Sequence, residues 1–109
     1  MILTTTDHVP GREVQAVLGL VKGSTVRGAH AGEDMQAWFK NLVGGELEEY
    51  TALLAGAREQ ALDRLIADAR AKGADAVVGL SFSSCEITAG AAEFLAYGTA
   101  VRLAPQKSL

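Results

Sequence analysis

The stretch "RLIADARAKGADAVVGLSFSS", Arg64 to Ser84, changes its hydrophobic period at one glycine. Before Gly73, apolar residues recur every three or four positions: Leu53, Leu54, Ala57, Ala61, Leu65 and Ala69, with Tyr50 at the head of the row. After Gly73 the period is two. Ala76, Val78, Leu80 and Phe82 point one way, and Val77, Gly79, Ser81 and Ser83 the other. The first pattern is one face of a helix and the second is a strand. Gly73 is the left-handed residue expected just past a helix end. A chain that makes this switch is neither all-helical nor all-β.

The long helix is predicted from about Glu46 to Lys72. Glu46, Glu48 and Glu49 suit the positive end of its dipole, and Arg70 and Lys72 the negative end. Arg64 with Asp68, and Asp68 with Lys72, stand at ion-pair spacing. A shorter helix is predicted upstream, with Met35, Trp38, Phe39 and Leu42 on one face, and Gly44-Gly45 separating the two. Strands are predicted at Ile2 to Thr5, at Glu13 to Gly23 continuing to Val26 past a bulge at Gly23-Ser24, at Ala76 to Phe82, and at Glu93 to Leu103. Thr88 to Ala92 can close a hairpin between the last two. The order is β-β-α-α-β-β, an α+β fold in one domain over 1–104, followed by a flexible tail over 105–109.

The strands do not alternate as half-buried antiparallel strands do. Val14 to Val21, Ala76 to Phe82 and Phe94 to Leu103 carry apolar or small side chains on both faces. One long helix covers one face of a small sheet. A second copy of the chain is the simplest cover for the other, which predicts a homo-oligomer. A net charge of −3 with no basic cluster argues against a nucleic-acid partner. No apolar run reaches the roughly 20 residues of a membrane span. Met1 to Asp7 lacks the basic start and apolar stretch of a signal peptide. With one cysteine, no internal disulfide is possible. These features fit the cytoplasm.

Several segments together resemble the YbjQ-like family of small bacterial proteins. They are "VRG" at Val26 to Gly28, "VGGELEEYTALL" at Val43 to Leu54, "AREQALDRL" at Ala57 to Leu65, "GADAVVGLSF" at Gly73 to Phe82 and "AYGTAV" at Ala96 to Val101. The resemblance implies a dodecin-like arrangement of a small antiparallel sheet on one long helix, assembled as a homopentameric ring. It implies no established biochemical function. A heavy-metal ion is the one cofactor it suggests, through the family's heavy-metal-binding label.

Candidate chemistry is sparse. Cys85 could be a metal ligand, a nucleophile or a small apolar residue at a strand end. No CxxC or CxH spacing surrounds it, and its neighbours are Ser83, Ser84, Glu86 and Ile87. His30, in a glycine-flanked segment, is the base a nucleophilic Cys85 would need, with His8 the alternative. Cys85, His30 and Glu86 are thus the metal candidates, and they would have to converge in three dimensions, within the chain or between subunits. Gly28 to Gly32 and Gly44-Gly45 match no phosphate-binding fingerprint. Tyr50, Arg58 and Glu59 on the long helix belong to the resembling set, and Arg58 reads as a solvated residue or as a partner for Asp75 or a neighbouring subunit. No catalytic constellation is present. The sequence favours a non-enzymatic oligomeric binding or scaffold protein without a predicted cofactor. Its alternative is an enzyme or metal sensor with an intersubunit site.

Overall fold

The structure, a computed structural model, describes residues 1–28, 44–88 and 91–106. The strands are β1 (Ile2–Leu3), β2 (Val14–Gly28), β3 (Ala76–Thr88) and β4 (Ala91–Leu103), and one helix, α1 (Gly44–Ala71), separates β2 from β3. The sheet order is β1-β3-β4-β2. β1 runs parallel to β3, whereas β3 and β2 both run antiparallel to β4. The fold is α+β with a mixed sheet. The described elements run β-β-α-β-β rather than β-β-α-α-β-β, and the expected helix around Met35 to Leu42 lies outside the described residues.

The long helix forms where its period places it, but it begins earlier. Gly44 and Gly45, expected to break the chain between two helices, are its first two residues. First-turn N–H groups have no intrahelical acceptor in any case, so glycine costs the ladder nothing there. The other end follows the sequence signal closely. Gly73 has φ 77°. Its N–H donates to Arg70 O at 3.0 Å and the Ala74 N–H donates to Ala69 O at 3.1 Å, the paired bonds of a Schellman cap.

Ala57, Ala61, Leu65 and Ala69 form one fully buried row on α1, packed against Val21, Val77, Phe94, Ala96 and Ala100 of the sheet. Small residues bring helix and sheet close. A Cβ on Gly23 would lie 2.2 Å from Ala61 O and 2.3 Å from Leu65 N. That close approach explains Gly23. The bulge expected at Gly23-Ser24 is not there, because both residues stay in register with Ala96 and Leu95. The register shifts of β2 fall instead between Val14 and Ala16 and between Val17 and Gly19, where Gly19 has φ 110°.

A further shift lies between Val78 and Ser81, at Gly79 with φ 61°. It reverses the expected alternation of β3. Ala76 and Val78 face away from α1, where they are buried with Val101 and Leu103 and packed against Val9 of the N-terminal segment. Leu80, expected on their side, packs in the helix-side core. One extra residue exchanges the two faces of everything beyond it. Gly98 serves close packing within the chain: a Cβ there would lie 2.7 Å from Val77 Cγ1.

Candidate functional site

Register assigns the strand residues to one or the other of the two sheet faces. On β4, Phe94, Ala96 and Ala100 belong to the helix-side core, so Glu93, Leu95, Tyr97 and Thr99 face away from α1. Residues directly opposite share a face, and the rows across β2, β4 and β3 follow. They are Val26–Glu93–Cys85, Ser24–Leu95–Ser83, Lys22–Tyr97–Ser81 and Leu20–Thr99–Val78, with Val17 opposite Val101 beyond them. Val14, Val17, Leu20, Val26 and Tyr97, all on this helix-free face, are exposed, Val17 by 68% and Leu20 by 64%. Among the described residues, the N-terminal segment covers the part around Val78, Val101 and Leu103.

Cys85 is an exposed free thiol on this face, beside Glu93 in register. One of its readings expected a small, partly buried apolar residue at a strand end, and the structure leaves it exposed. The Glu86 backbone continues β3 opposite Ala92, but its side chain, like all of His30, lies outside the described residues. His8 is exposed, and its Nδ1 lies 2.8 Å from Asp7 Oδ1. Their hydrogen bond, and then their charge attraction, lower the Asp7 carboxyl from its ordinary value. Cys85 and Glu93 thus supply two donors in one row, and His8 and Asp7 two more in the N-terminal segment. A zinc-like site takes three or four. Among the described residues of one chain, no three His, Cys, Asp or Glu side chains form such a group. The described residues of a single copy therefore do not fit a heavy-metal ion.

Two clefts of about 370 Å³ each share Arg12 as a wall. Arg12 Nε and Nη2 donate to Ala104 O at 3.3 and 3.1 Å, tying the N-terminal segment to the end of β4. Asp75, one possible partner of Arg58, instead accepts the Leu103 N–H at 2.8 Å. Arg58 and Glu59 are exposed on α1. The expected Asp68–Lys72 pair forms at 2.8 Å. The Arg64–Asp68 pair does not, because Arg64 Nη1 donates to Ser24 O at 2.6 Å. Asp68 Oδ2 accepts the Lys22 N–H at 3.1 Å. Thr25, the one buried polar side chain described, donates its hydroxyl to Ala57 O at 3.0 Å. Side chains of α1 thus satisfy the outer backbone groups of edge strand β2, contacts for which the sequence carries no spacing signal. Among the described residues, no helix is long and apolar enough to cross a membrane.

The family model for YbjQ-like proteins, described as "Putative heavy-metal-binding", matches residues 1–104. The chain is 57% identical over 103 residues to a UPF0145 protein of Archaeoglobus fulgidus, covering 94% of this chain and 95% of that one. It is 58% identical over 107 residues to a UPF0145 protein of Methanoculleus marisnigri, covering 98% and 100%. A Clostridioides difficile relative of the same name is 51% identical over 109 residues, covering 100% and 97%. Among solved structures, a protein with unknown function of the DUF74 family from Pediococcus pentosaceus superposes with a TM-score of 0.63. It is 16% identical, with 95% of this chain and 98% of that one covered, a likeness of fold. This chain belongs to the YbjQ-like, UPF0145 family. The family carries a heavy-metal-binding description and no defined biochemical activity.

Proposed function

We propose that the protein is a non-enzymatic ligand-binding or scaffold module that works as a closed homo-oligomer in the cytoplasm, with its ligand site between subunits. The observation that carries this reading is the helix-free sheet face. Val17 and Leu20 leave 68% and 64% of their surface in solvent as neighbours on this face of β2, and Val26 leaves 58% further along it, past Lys22 and Ser24. Large apolar side chains exposed together on one face of a small domain mark a contact site. The count of five, and the dodecin-like ring, rest on the family resemblance alone; the face supports more than one copy.

The family description supports a second reading, a heavy-metal-binding protein or sensor. Cys85 and Glu93 share the helix-free face, so a symmetry-related copy could add the donors that one chain lacks.

Sedimentation equilibrium at low micromolar concentration tests the first reading. The wild type should sediment as an oligomer, and Leu20→Asp as a folded monomer, because an unpaired charge buried in an interface costs several kcal/mol. A monomeric wild type would refute the assembly, and a dimer would refute only the count. Metal analysis of protein purified without a tag separates the two readings. Stoichiometric zinc or copper that is lost in Cys85→Ser would replace the first with the second; a metal-free oligomer unaffected by Cys85→Ser supports the first.

A further inference from the structure

The end of the molecule where α1 stops and β4 ends gathers arginines. Arg12 and Arg70 line one cleft of about 370 Å³, together with Ile2, Ala74 and Asp75. Arg12 comes from the N-terminal segment and Arg70 from the last turn of α1. A third guanidinium stands past the same helix end: Arg102 Nη2 lies 3.2 Å from where a Cβ on Gly73 would be. In a chain of net charge −3 this is a local excess of cations.

The ion pairs among the described residues are His8–Asp7 and Lys72–Asp68, and neither includes an arginine. The carboxylate in the cleft, Asp75, accepts the Leu103 N–H on Oδ2 at 2.8 Å. Arg12 is half-buried, and its Nε and Nη2 both donate to Ala104 O, which fixes the plane of the guanidinium. Of its five donors, those on Nη1 make no hydrogen bond among the described residues. Arg70 is exposed and free to turn into the cleft. The carbonyl end of a helix disfavours an anion, but Ala69 O and Arg70 O already accept the Ala74 and Gly73 N–H groups. Two like charges on one cleft repel each other. An anion between them removes that repulsion and takes up the free donors.

We propose that the Arg12–Arg70 cleft binds a small oxyanion, the phosphate or carboxylate group of a small molecule. Arg12 supplies a pre-positioned planar fork suited to such oxygens, and Arg70 closes on the same group from α1. The bound anion links the N-terminal segment to the end of the helix. The site is built within one copy of the chain, so it stands apart from the oligomeric reading above.

Isothermal titration at low ionic strength with inorganic phosphate, and separately with succinate, tests the site. The expected result is saturable binding of one anion per chain, weakened by sodium chloride. Arg70→Gln should weaken it by about tenfold or more, the loss of one charge-assisted hydrogen bond. Glutamine at this exposed position keeps helix propensity, so circular dichroism should match the wild type. The tighter of the two anions identifies the group bound. A second measurement needs no variant: in 15N-labelled wild type, the bound anion should shift the Arg12 Nε–H resonance and the Ala74 and Asp75 amides. No saturable binding of either anion, or binding that a folded Arg70→Gln retains in full, overturns the site and leaves the oligomeric reading standing. Loss of the oligomer in Arg70→Gln also overturns it, assigning the arginine to a contact between copies. A wild-type monomer that binds phosphate at these resonances overturns the oligomeric reading and supports the site.

Discussion

The helix-covered and helix-free faces of the sheet are built from the same residue types and meet different fates. Val21, Val77, Ala96 and Ala100 on the covered face are fully buried, and Phe94 nearly so. Val14, Val17, Leu20 and Val26 on the other face are exposed. Nothing in β-propensity separates Val21 from Val17. The difference is what lies above them among the described residues: a row of Ala57, Ala61, Leu65 and Ala69 on one side, and on the other the N-terminal segment over Val78, Val101 and Leu103. Strand residues record that a face is to be covered; they do not record by what.

The largest effect should come from the covered face. Leu65 is the bulkiest of the fully buried side chains, and Leu65→Ala should cost about 3 kcal/mol of unfolding free energy in urea, the loss of transfer energy plus a cavity. Val17→Ala on the free face should leave the monomer within about 0.5 kcal/mol of the wild type, since an exposed side chain buries little. Equal losses at the two positions under monomeric conditions would show that the faces are not distinct. Val78 and Val101 do not separate the faces as cleanly as their alternation suggests. Both are already buried within the chain, so a charge at either would report on folding rather than on assembly.

Next comes Gly23→Ala. The added methyl meets helix backbone, not a movable side-chain end. Helix and strand must separate, at a cost of about 2 kcal/mol or more. Thermal unfolding that matched the wild type would mean the close approach contributes little to the covered face.

Local signals were the legible part of this fold. The period of the long helix, the C-cap at Gly73 and the switch to strand spacing each lie within a few residues, and each was readable. The bulges were not. Gly19 and Gly79 look like any strand glycine until the partner strand shows which residue is extra, and the bulge at Gly79 alone exchanged the faces of Leu80 and those after it. The seal on β2 was equally hidden. Its bonds join Lys22 to Asp68 and Ser24 to Arg64, 46 and 40 residues apart. The i,i+4 rule found the Asp68–Lys72 pair but assigned Arg64 to the same carboxylate, because the rule sees only the helix. Of the site candidates, Cys85 could be placed on a strand but not on a face. That choice also depended on the bulge.

The smallest effect concerns that seal. Asp68 accepts the Lys72 ammonium at 2.8 Å on Oδ1 and the Lys22 N–H at 3.1 Å on Oδ2. Both favour the ionised form, the Lys72 hydrogen bond most, and together they hold the carboxyl below its ordinary value of 3.8. A carboxyl lowered in the folded state binds a proton less readily there than in the unfolded chain. Its stabilisation is therefore complete above the ordinary value and is lost as pH falls through the lowered one. Solvent reaches a third of the Asp68 side chain and slightly more of Lys72, so screening keeps the contribution to about 0.5 kcal/mol. Asp68→Asn should unfold at slightly lower urea than the wild type at pH 7. The gap should narrow with added salt and close as pH falls through the lowered carboxyl value, where the wild-type carboxyl is itself protonated. A gap that persists at low pH would assign the effect to packing of the residue rather than to its charge. A loss larger than that of Gly23→Ala would invert the comparison, making the sealed edge rather than the buried row the main hold of α1 on the sheet.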